Sequence, residues 1–179
     1  MADYLKEKGF AFVRFGQITL DLAKQRFGTV NQEKERIIRE EIRKEQGMAA
    51  YAIMNMPKFT AGMEQGNVIG DGLISWDEAV YLREQFGQKL IMVCIVAGTS
   101  WRYSRLPNRH AEKDAKMRFR AHTVEEAKAR DMAQLQNINQ GPSIALADYY
   151  ITNQGTIGEL HENIERFLEW AQKQRGLQL

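Results

Sequence analysis

Three arginines at helical spacing are the first residues whose types suggest chemistry. Arg36, Arg39 and Arg43 lie three and four residues apart, so a helix places them on one face. A guanidinium group binds phosphate through two parallel hydrogen bonds, which a lysine ammonium does not reproduce. The pattern therefore predicts an anion-binding helix face. The alternative is a solvated face, on which these arginines pair with Glu33, Glu40 and Glu41.

A larger basic cluster occupies residues 101–120. It contains seven basic and two acidic residues, a net charge of +5, whereas the whole 179-residue chain carries +2. Its arginines are Arg102, Arg105, Arg109, Arg118 and Arg120. A local positive cluster on a nearly neutral chain fits a small anionic ligand better than a long nucleic acid. One interpretation is a lid that closes over phosphate groups, and the other is a solvated basic surface.

An aspartate follows a short apolar segment at Asp71-Gly72. A carboxylate at the end of a strand can orient Mg²⁺ through water or accept a hydrogen bond from an attacking group. Asp-Gly is also a common turn pair, so a simple turn is the alternative. The three histidines are scattered along the chain and show no spacing typical of a zinc site.

The composition, 44% apolar and 27% charged, is typical of a soluble globular domain. Cys94 is the only cysteine, so no internal disulfide forms and a reducing compartment is expected. The longest apolar run, residues 90–97, is much shorter than the roughly 20 residues of a membrane-spanning helix. The N-terminus is charged and has no apolar signal region. We therefore expect a cytoplasmic protein of one domain, residues 1–179, with no membrane partner.

Short apolar segments alternate with longer stretches of helical pattern. The strands are predicted at residues 10–15, 67–71, 89–96 and 148–152. The helices are predicted at 18–27, at 33–45 after Asn31, from Ser75 to Phe86, and from Thr156 onward. This alternation predicts an α/β fold with a parallel sheet and right-handed crossovers. The segments 17–65 and 98–140 fall in two unusually long crossovers, which can each hold more than one helix.

Several sequence pieces, taken in their order along the chain, resemble a known family. They are Tyr4-Leu-Lys-Glu-Lys-Gly-Phe10, Arg14-Phe-Gly16, Ile38-Arg-Glu-Glu-Ile-Arg43, Gly47-Met-Ala-Ala50, Asp71-Gly72 with Glu78, Arg102 to Arg109, Arg130-Asp131, and Ile144-Ala-Leu-Ala-Asp148 leading to Asn153-Gln-Gly-Thr156. The chain resembles P-loop nucleoside-monophosphate kinases, in the dephospho-CoA-kinase-like and adenylate-kinase-related branch. The match covers nearly the whole chain.

The resemblance implies a three-layer α/β fold, in which helices flank a parallel sheet. Family members begin with a strand and a Gly-x-x-x-x-Gly-Lys-Ser/Thr loop that cradles the phosphates of ATP. This sequence contains no Gly-Lys dipeptide, and residues 2–9 resemble the end of the helix that follows that loop. We therefore expect the first strand to be missing from this chain, leaving a gap between the strands at 67–71 and 89–96.

The resemblance also implies roles for individual residues. Substrate binding falls to Arg14, Gly16, Arg39, Arg43 and Gly72, within a helical acceptor-binding insertion at 17–65 and the strand ends beside it. Catalysis falls to Asp71, which would hold Mg²⁺ through water, and to Arg102, Arg105, Arg109 and Arg130, within a lid-like segment at 98–140. Binding of the ATP cofactor falls to Arg118, Arg120, Asn153 and Gly155, the last two in a loop that would border the adenine.

Two functions stay open at this point. The first is a nucleotide kinase that, in its complete form, transfers the γ-phosphate of Mg-ATP to a nucleoside monophosphate or a dephospho-CoA-like acceptor. Without the loop and its lysine, this chain is expected to transfer phosphate poorly or not at all. The second is a non-catalytic nucleotide-binding or interaction module, in which a partner strand, including one from a second copy, fills the gap in the sheet.

Overall fold

The computed structural model describes residues 1–107 and 123–179. Four strands form in this part of the chain, each close to its predicted position. They are β1 (Ala11–Arg14), β2 (Val68–Asp71), β3 (Val93–Val96) and β4 (Tyr149–Thr152). The α/β class and the parallel strand direction are as the sequence predicts.

Helices fill the intervals between the strands. The described residues contain α1 (Ala2–Glu7), α2 (Gln17–Phe27), α3 (Gln32–Gln46), α4 (Ala50–Met63), α5 (Trp76–Phe86), α6 (Thr99–Arg105), α7 (Val124–Asn137), α8 (Gln140–Ala145) and α9 (Ile157–Arg175), with a 3₁₀ turn at Gly87–Lys89. Asn31, Ser75 and Thr156 are the N-caps of α3, α5 and α9, as predicted. Each side chain accepts a hydrogen bond from a backbone N–H of the first turn, which would otherwise lack a partner.

The strands form two parallel pairs. β1 pairs with β2, so that Arg14 lies opposite Asp71. β3 pairs with β4, so that Val93 lies opposite Tyr149. Among the described residues, β2 and β3 are not hydrogen-bonded to one another, and this break lies where the resemblance implies a gap in the sheet. The apolar pattern locates the strands but does not determine their pairing, and a kinase-like sheet stays a prediction.

β3 is also shorter and less covered than predicted. The strand begins at Val93 instead of residue 89, because the backbone N–H of Met92 donates to the Asp148 carboxylate (2.7 Å) and leaves the ladder. Ile95, in the middle of the strand, is 44% exposed. The continuous apolar run had predicted a strand covered on both faces.

Two hydrophobic clusters lie on opposite sides of the β1–β2 pair. The first cluster contains Val13 of β1 and Phe59 of α4, together with buried residues of α2, α3 and α5. The second contains Leu5 of α1, Ile151 of β4 and four buried residues of α9. Ile69 of β2 and Val93 of β3 both pack against the second cluster, so this core connects the two sheets.

Candidate functional site

A small polar cavity lies where β1 and β2 end. It has a volume of about 90 Å³ and is lined by six residues that the sequence analysis assigned to the site, as well as by seven others. The six are Arg14, Gly16, Arg39, Arg43, Gly72 and Arg130. They come from the β1–α2 turn, helix α3, the loop after β2, and helix α7. The fold therefore brings together side chains that are up to 116 positions apart in the sequence.

The pairing of β1 with β2 creates the mouth of this cavity. Because the strands are parallel, their carboxyl ends meet at one edge, and Phe15 N donates to the Asp71 carbonyl (3.0 Å). Gly72 follows with a φ of +91°, a backbone conformation that L side chains rarely adopt. The loop after β2 therefore turns sharply beside the β1–α2 turn, as is typical of ligand sites in α/β folds.

Helix α3 presents only two of its three spaced arginines to the cavity. Arg39 lies beside the buried Glu35 carboxylate, with 3.3 Å between Nη1 and Oε2, and both line the cavity. Arg43 follows one turn later on the same face. Arg36 is 66% exposed and lies 3.9 Å from Glu40, so it belongs to the solvated face of the helix. The interpretation as an anion-binding face therefore applies to Arg39 and Arg43, and the interpretation as a solvated face applies to Arg36.

Arg43 and Glu78 form a buried but loose contact. Their side chains are 14% and 2% exposed, and 3.9 Å separate Arg43 Nη2 from Glu78 Oε1. This distance is too long for a hydrogen bond. Arg43 Nε and Glu78 Oε1 are both buried and have no hydrogen-bond partner among the described residues. The Arg43 guanidinium also lies over the Tyr51 ring, at 5.2 Å from its centre.

The other Glu78 oxygen is held by the start of helix α5. Glu78 Oε2 accepts hydrogen bonds from Ser75 N (3.2 Å) and, at longer range, from Ile74 N (3.4 Å). This is one half of a capping box, in which Ser75 supplies the other half. The cap therefore fixes the carboxylate through one oxygen, and the second oxygen has no hydrogen-bond partner among the described residues. Glu78 is one of the residues that line the cavity.

Burial is the main cause of the raised pKa values of Glu78 and Tyr51 in this site. Burial raises the pKa of the Glu78 carboxyl, while the Arg43 charge and the two backbone N–H groups act in the opposite direction. Burial also raises the pKa of Tyr51, whose hydroxyl shares a 2.6 Å hydrogen bond with Thr19. Four arginines and two glutamates line the cavity, so positive charge is in excess by two when all are ionised. This excess suits a small dianion.

The remaining predicted residues lie elsewhere. Arg102 forms an ion pair with Asp131 (2.8 Å between Nη2 and Oδ2), which joins α6 to α7. Arg105 donates to the Asn153 and Gly155 carbonyls, both at 2.8 Å. Neither arginine lines the cavity. Arg130, which does line it, lies in the middle of α7, and Thr123 caps that helix. Three predicted residues, Arg109, Arg118 and Arg120, fall outside the described residues.

The described residues do not form a magnesium site by themselves. Asp71 is exposed at the end of β2, and no group of three potential metal ligands occurs in residues 1–107 and 123–179. Mg²⁺ in nucleotide sites is completed by water and by phosphate oxygens, so a lone carboxylate does not fit the ion without a bound phosphate. We derive no step through Mg²⁺ or ATP. The same described ranges contain no helix of the length and apolar composition that crossing a bilayer requires.

Sequence reasoning did not assign four of the polar residues that line the cavity. They are Thr19, Glu35, Tyr51 and Glu78. Glu78 occupies the first turn of a capped helix, where an acid is expected for helix stability alone. No local signal distinguishes this carboxylate from any other helix cap. Only the tertiary arrangement, in which α3 and α5 both pack on α4, places it beside Arg43.

Comparison with known proteins found relatives in archaea, and no family model matches the chain. The chain is 32% identical to a UPF0200 protein of Thermoplasma acidophilum over 126 residues, and 33% identical to one of Pyrococcus furiosus over 129 residues. These alignments cover 70% and 71% of this chain, but only 64% and 66% of the relatives. The chain thus spans slightly less than two thirds of these two proteins.

A third relative is matched over a larger part of its length. The UPF0200 protein of Sulfurisphaera tokodaii is 31% identical over 172 residues, which are 94% of this chain and 80% of the relative. At this identity and coverage, the resemblance extends through both strand pairs and the helices around the cavity. The chain belongs to the UPF0200 family.

Proposed function

We propose that the cavity binds the phosphate group of a nucleotide-like acceptor, and that the fold is the acceptor-binding part of a phosphotransferase. The observation that carries this proposal is the convergence of four arginines on one cavity at the ends of β1 and β2. Arginine forks bind phosphate oxygens in pairs, and the positive excess of two matches a phosphate monoester of charge about −1.5 to −2.

The lining of the cavity supports recognition of a phosphate group. Its four arginines are the side chains whose geometry matches phosphate oxygens. The described lining residues do not identify the organic part of the ligand, so we place that part at the mouth. The acceptor class is therefore a phosphate monoester whose organic part extends from the mouth, such as a nucleoside monophosphate or dephospho-CoA.

Transfer of phosphate needs a donor site that this chain's residues do not supply. The sequence has no Gly-Lys-Ser/Thr loop, and such a loop holds the β- and γ-phosphates of ATP in the kinases that the chain resembles. We therefore propose acceptor binding as the activity of the chain itself. In an assay with Mg-ATP and AMP, we expect no ADP above the enzyme-free rate. Formation of ADP would contradict the proposal that this chain binds the acceptor without transferring phosphate to it.

The binding proposal is tested with a matched pair of variants on one helix. Calorimetry measures the affinity of the wild type for AMP, dephospho-CoA and inorganic phosphate. Arg43→Lys keeps the charge but loses the two-pronged geometry, so we expect binding at least about tenfold weaker. Arg36→Lys changes the solvated face of α3 and should bind as the wild type does. Absence of phosphate binding, or equal effects of the two variants, overturns the proposal.

A second function is favoured by the separation of the two sheets. One side of β2 and one side of β3 carry no ladder hydrogen bonds among the described residues. Such strand sides can pair with a strand from a partner or from a second copy. In this case the chain is a non-catalytic interaction module. A stable dimer in solution, with no affinity for phosphate compounds, would favour this function over the first.

A further inference from the structure

Two buried polar atoms at the cavity lack the partners that buried polar atoms normally have. Arg43 Nε is a donor and Glu78 Oε1 is an acceptor, and neither forms a hydrogen bond among the described residues. Leaving such a group unpaired in the interior of a protein is unfavourable. The two side chains belong to lining residues of one cavity. A bound group that accepts from arginine and also shares a proton with the carboxylate satisfies both.

The Glu78 carboxylate is fixed at the wall of the cavity. Its Oε2 is held by two backbone N–H groups, so the side chain cannot turn away without breaking the cap of α5. The other charged or titratable groups that line this cavity are Arg14, Glu35, Arg39, Arg43, Tyr51 and Arg130, and Asp77 lies beside Glu78 on its own helix. An ionised Glu78 therefore opposes the attraction of the four arginines for a dianion.

Protonation of Glu78 removes this repulsion between its carboxylate and a bound dianion. With a proton on Glu78 Oε1, the group becomes a donor toward a phosphate oxygen, and the positive excess of the cavity is no longer reduced by its charge. The raised pKa of the buried carboxyl means that this protonation is less costly than for an exposed glutamate. A dianion bound beside the carboxyl raises that pKa further, because the two negative charges repel each other.

We propose that the cavity takes up one proton together with a phosphate group, and that this proton lies between Glu78 Oε1 and a phosphate oxygen. The proton comes from solvent or arrives on the phosphate monoester, and no covalent bond forms or breaks in the ligand. This inference rests on the proposed binding of phosphate and identifies Glu78 as the residue that couples that binding to pH.

The test uses sulfate, which remains a dianion across the pH range of the experiment and brings no proton of its own. Titration calorimetry from pH 6 to pH 9, in two buffers of different ionisation enthalpy, counts the protons taken up on binding. For the wild type we expect proton uptake at pH values between the pKa of Glu78 in the free protein and its higher pKa in the sulfate complex. Over that interval the affinity should fall as the pH rises, by at most about tenfold for each pH unit.

Glu78→Gln places a neutral donor at the same position and can preserve the capping box, since Gln serves in that motif. This variant should bind sulfate without proton uptake, with an affinity independent of pH, and at pH 9 at least about tenfold more tightly than the wild type. Glu84→Gln, an exposed position on the same helix, should behave as the wild type. AMP is titrated in parallel, to compare a phosphate monoester with sulfate.

The outcomes separate this inference from the proposed function. In one outcome both anions bind and Arg43→Lys weakens their binding, which supports the phosphate site. If in this case the wild type takes up no proton, or if Glu78→Gln still takes one up, then the role proposed for Glu78 is wrong and the phosphate site stands. If the wild type binds neither anion, both proposals are overturned. A gain of affinity in Glu78→Gln at alkaline pH is a result that loss of folding cannot produce.

Discussion

Arg43 of α3 and Glu78 of α5 lie side by side inside the protein, with 3.9 Å between Arg43 Nη2 and Glu78 Oε1. This distance is short enough for an ion pair but too long for a hydrogen bond. Arg43 lies over the ring of Tyr51 on the neighbouring helix α4, and Glu78 is bonded to the backbone of the α5 cap. Both residues are therefore held in place at the wall of one cavity. We expect this relationship to make the stability of the protein, and the anion binding proposed above, sensitive to one carboxyl group.

The stability of the wild type should fall with rising pH relative to that of Glu78→Gln. Burial raises the pKa of Glu78 in the folded state above its value in the unfolded chain. At pH values between the unfolded and the folded pKa, the folded state holds a proton that the unfolded state has lost. The contribution of Glu78 to the free energy of unfolding is therefore fully present below the unfolded pKa. Between the two pKa values it decreases by about 1.4 kcal/mol for each pH unit.

Urea unfolding of both proteins between pH 4 and pH 8 measures this difference. Glu84→Gln is the control, and its curve should run parallel to that of the wild type, since its side chain is exposed. A constant difference between wild type and Glu78→Gln across the whole range would contradict the expected linkage.

Gly62→Ala should destabilise the protein, whereas Gly158→Ala should not. Both glycines lie in helices, but a Cβ at Gly62 would lie 2.9 Å from Val68 Cγ2 and 3.1 Å from Ala11 Cβ, where α4 packs on β1 and β2. Such overpacking costs about 1–3 kcal/mol. A Cβ at Gly158 in α9 would meet only Thr156 Oγ1, at 3.7 Å, which is an ordinary contact, so the substitution should gain about 0.4–1 kcal/mol through reduced freedom of the unfolded chain. Thermal unfolding of the two variants measures the difference. An equal change in the Tm of both would show that α4 does not pack closely on β1 and β2 at Gly62.

Arg105→Lys should loosen the loop between β4 and α9. Arg105 uses two nitrogens, Nη1 on the Asn153 carbonyl and Nη2 on the Gly155 carbonyl, both at 2.8 Å. A lysine has one nitrogen and cannot reach both acceptors in the same geometry. Amide hydrogen exchange at Asn153 and Thr156 should become about tenfold faster, since hydrogen bonds to charged groups contribute about 1.5–3 kcal/mol.

The matched control for this loop is Arg166→Lys, at an exposed position on α9. It should leave exchange in the loop unchanged. If Arg105→Lys also leaves it unchanged, the guanidinium does not restrain the loop and is available for another role, as the lid interpretation requires.

The sequence predicts the elements of this protein well because their signals are local. The N-caps at Asn31, Ser75 and Thr156 are short-range hydrogen bonds, and the four apolar segments each contain a strand. The face of α3 that carries Arg39 and Arg43 follows directly from helical periodicity. The proposals that depend on the kinase resemblance, including the roles of Asp71 and of the basic segment, remain predictions.

By itself, then, the sequence located the four strand segments, the helices that begin after Asn31, Ser75 and Thr156, and the shared face of Arg39 and Arg43. Only the tertiary structure decided which strands are hydrogen-bonded to one another, that Arg105 lies on the loop after β4, and that the buried Glu78 stands beside Arg43. The physical reason is distance along the chain. A cap or a helix face depends on neighbours within a few residues, whereas strand pairing and the environment of a buried charge depend on contacts between elements that the local pattern does not specify.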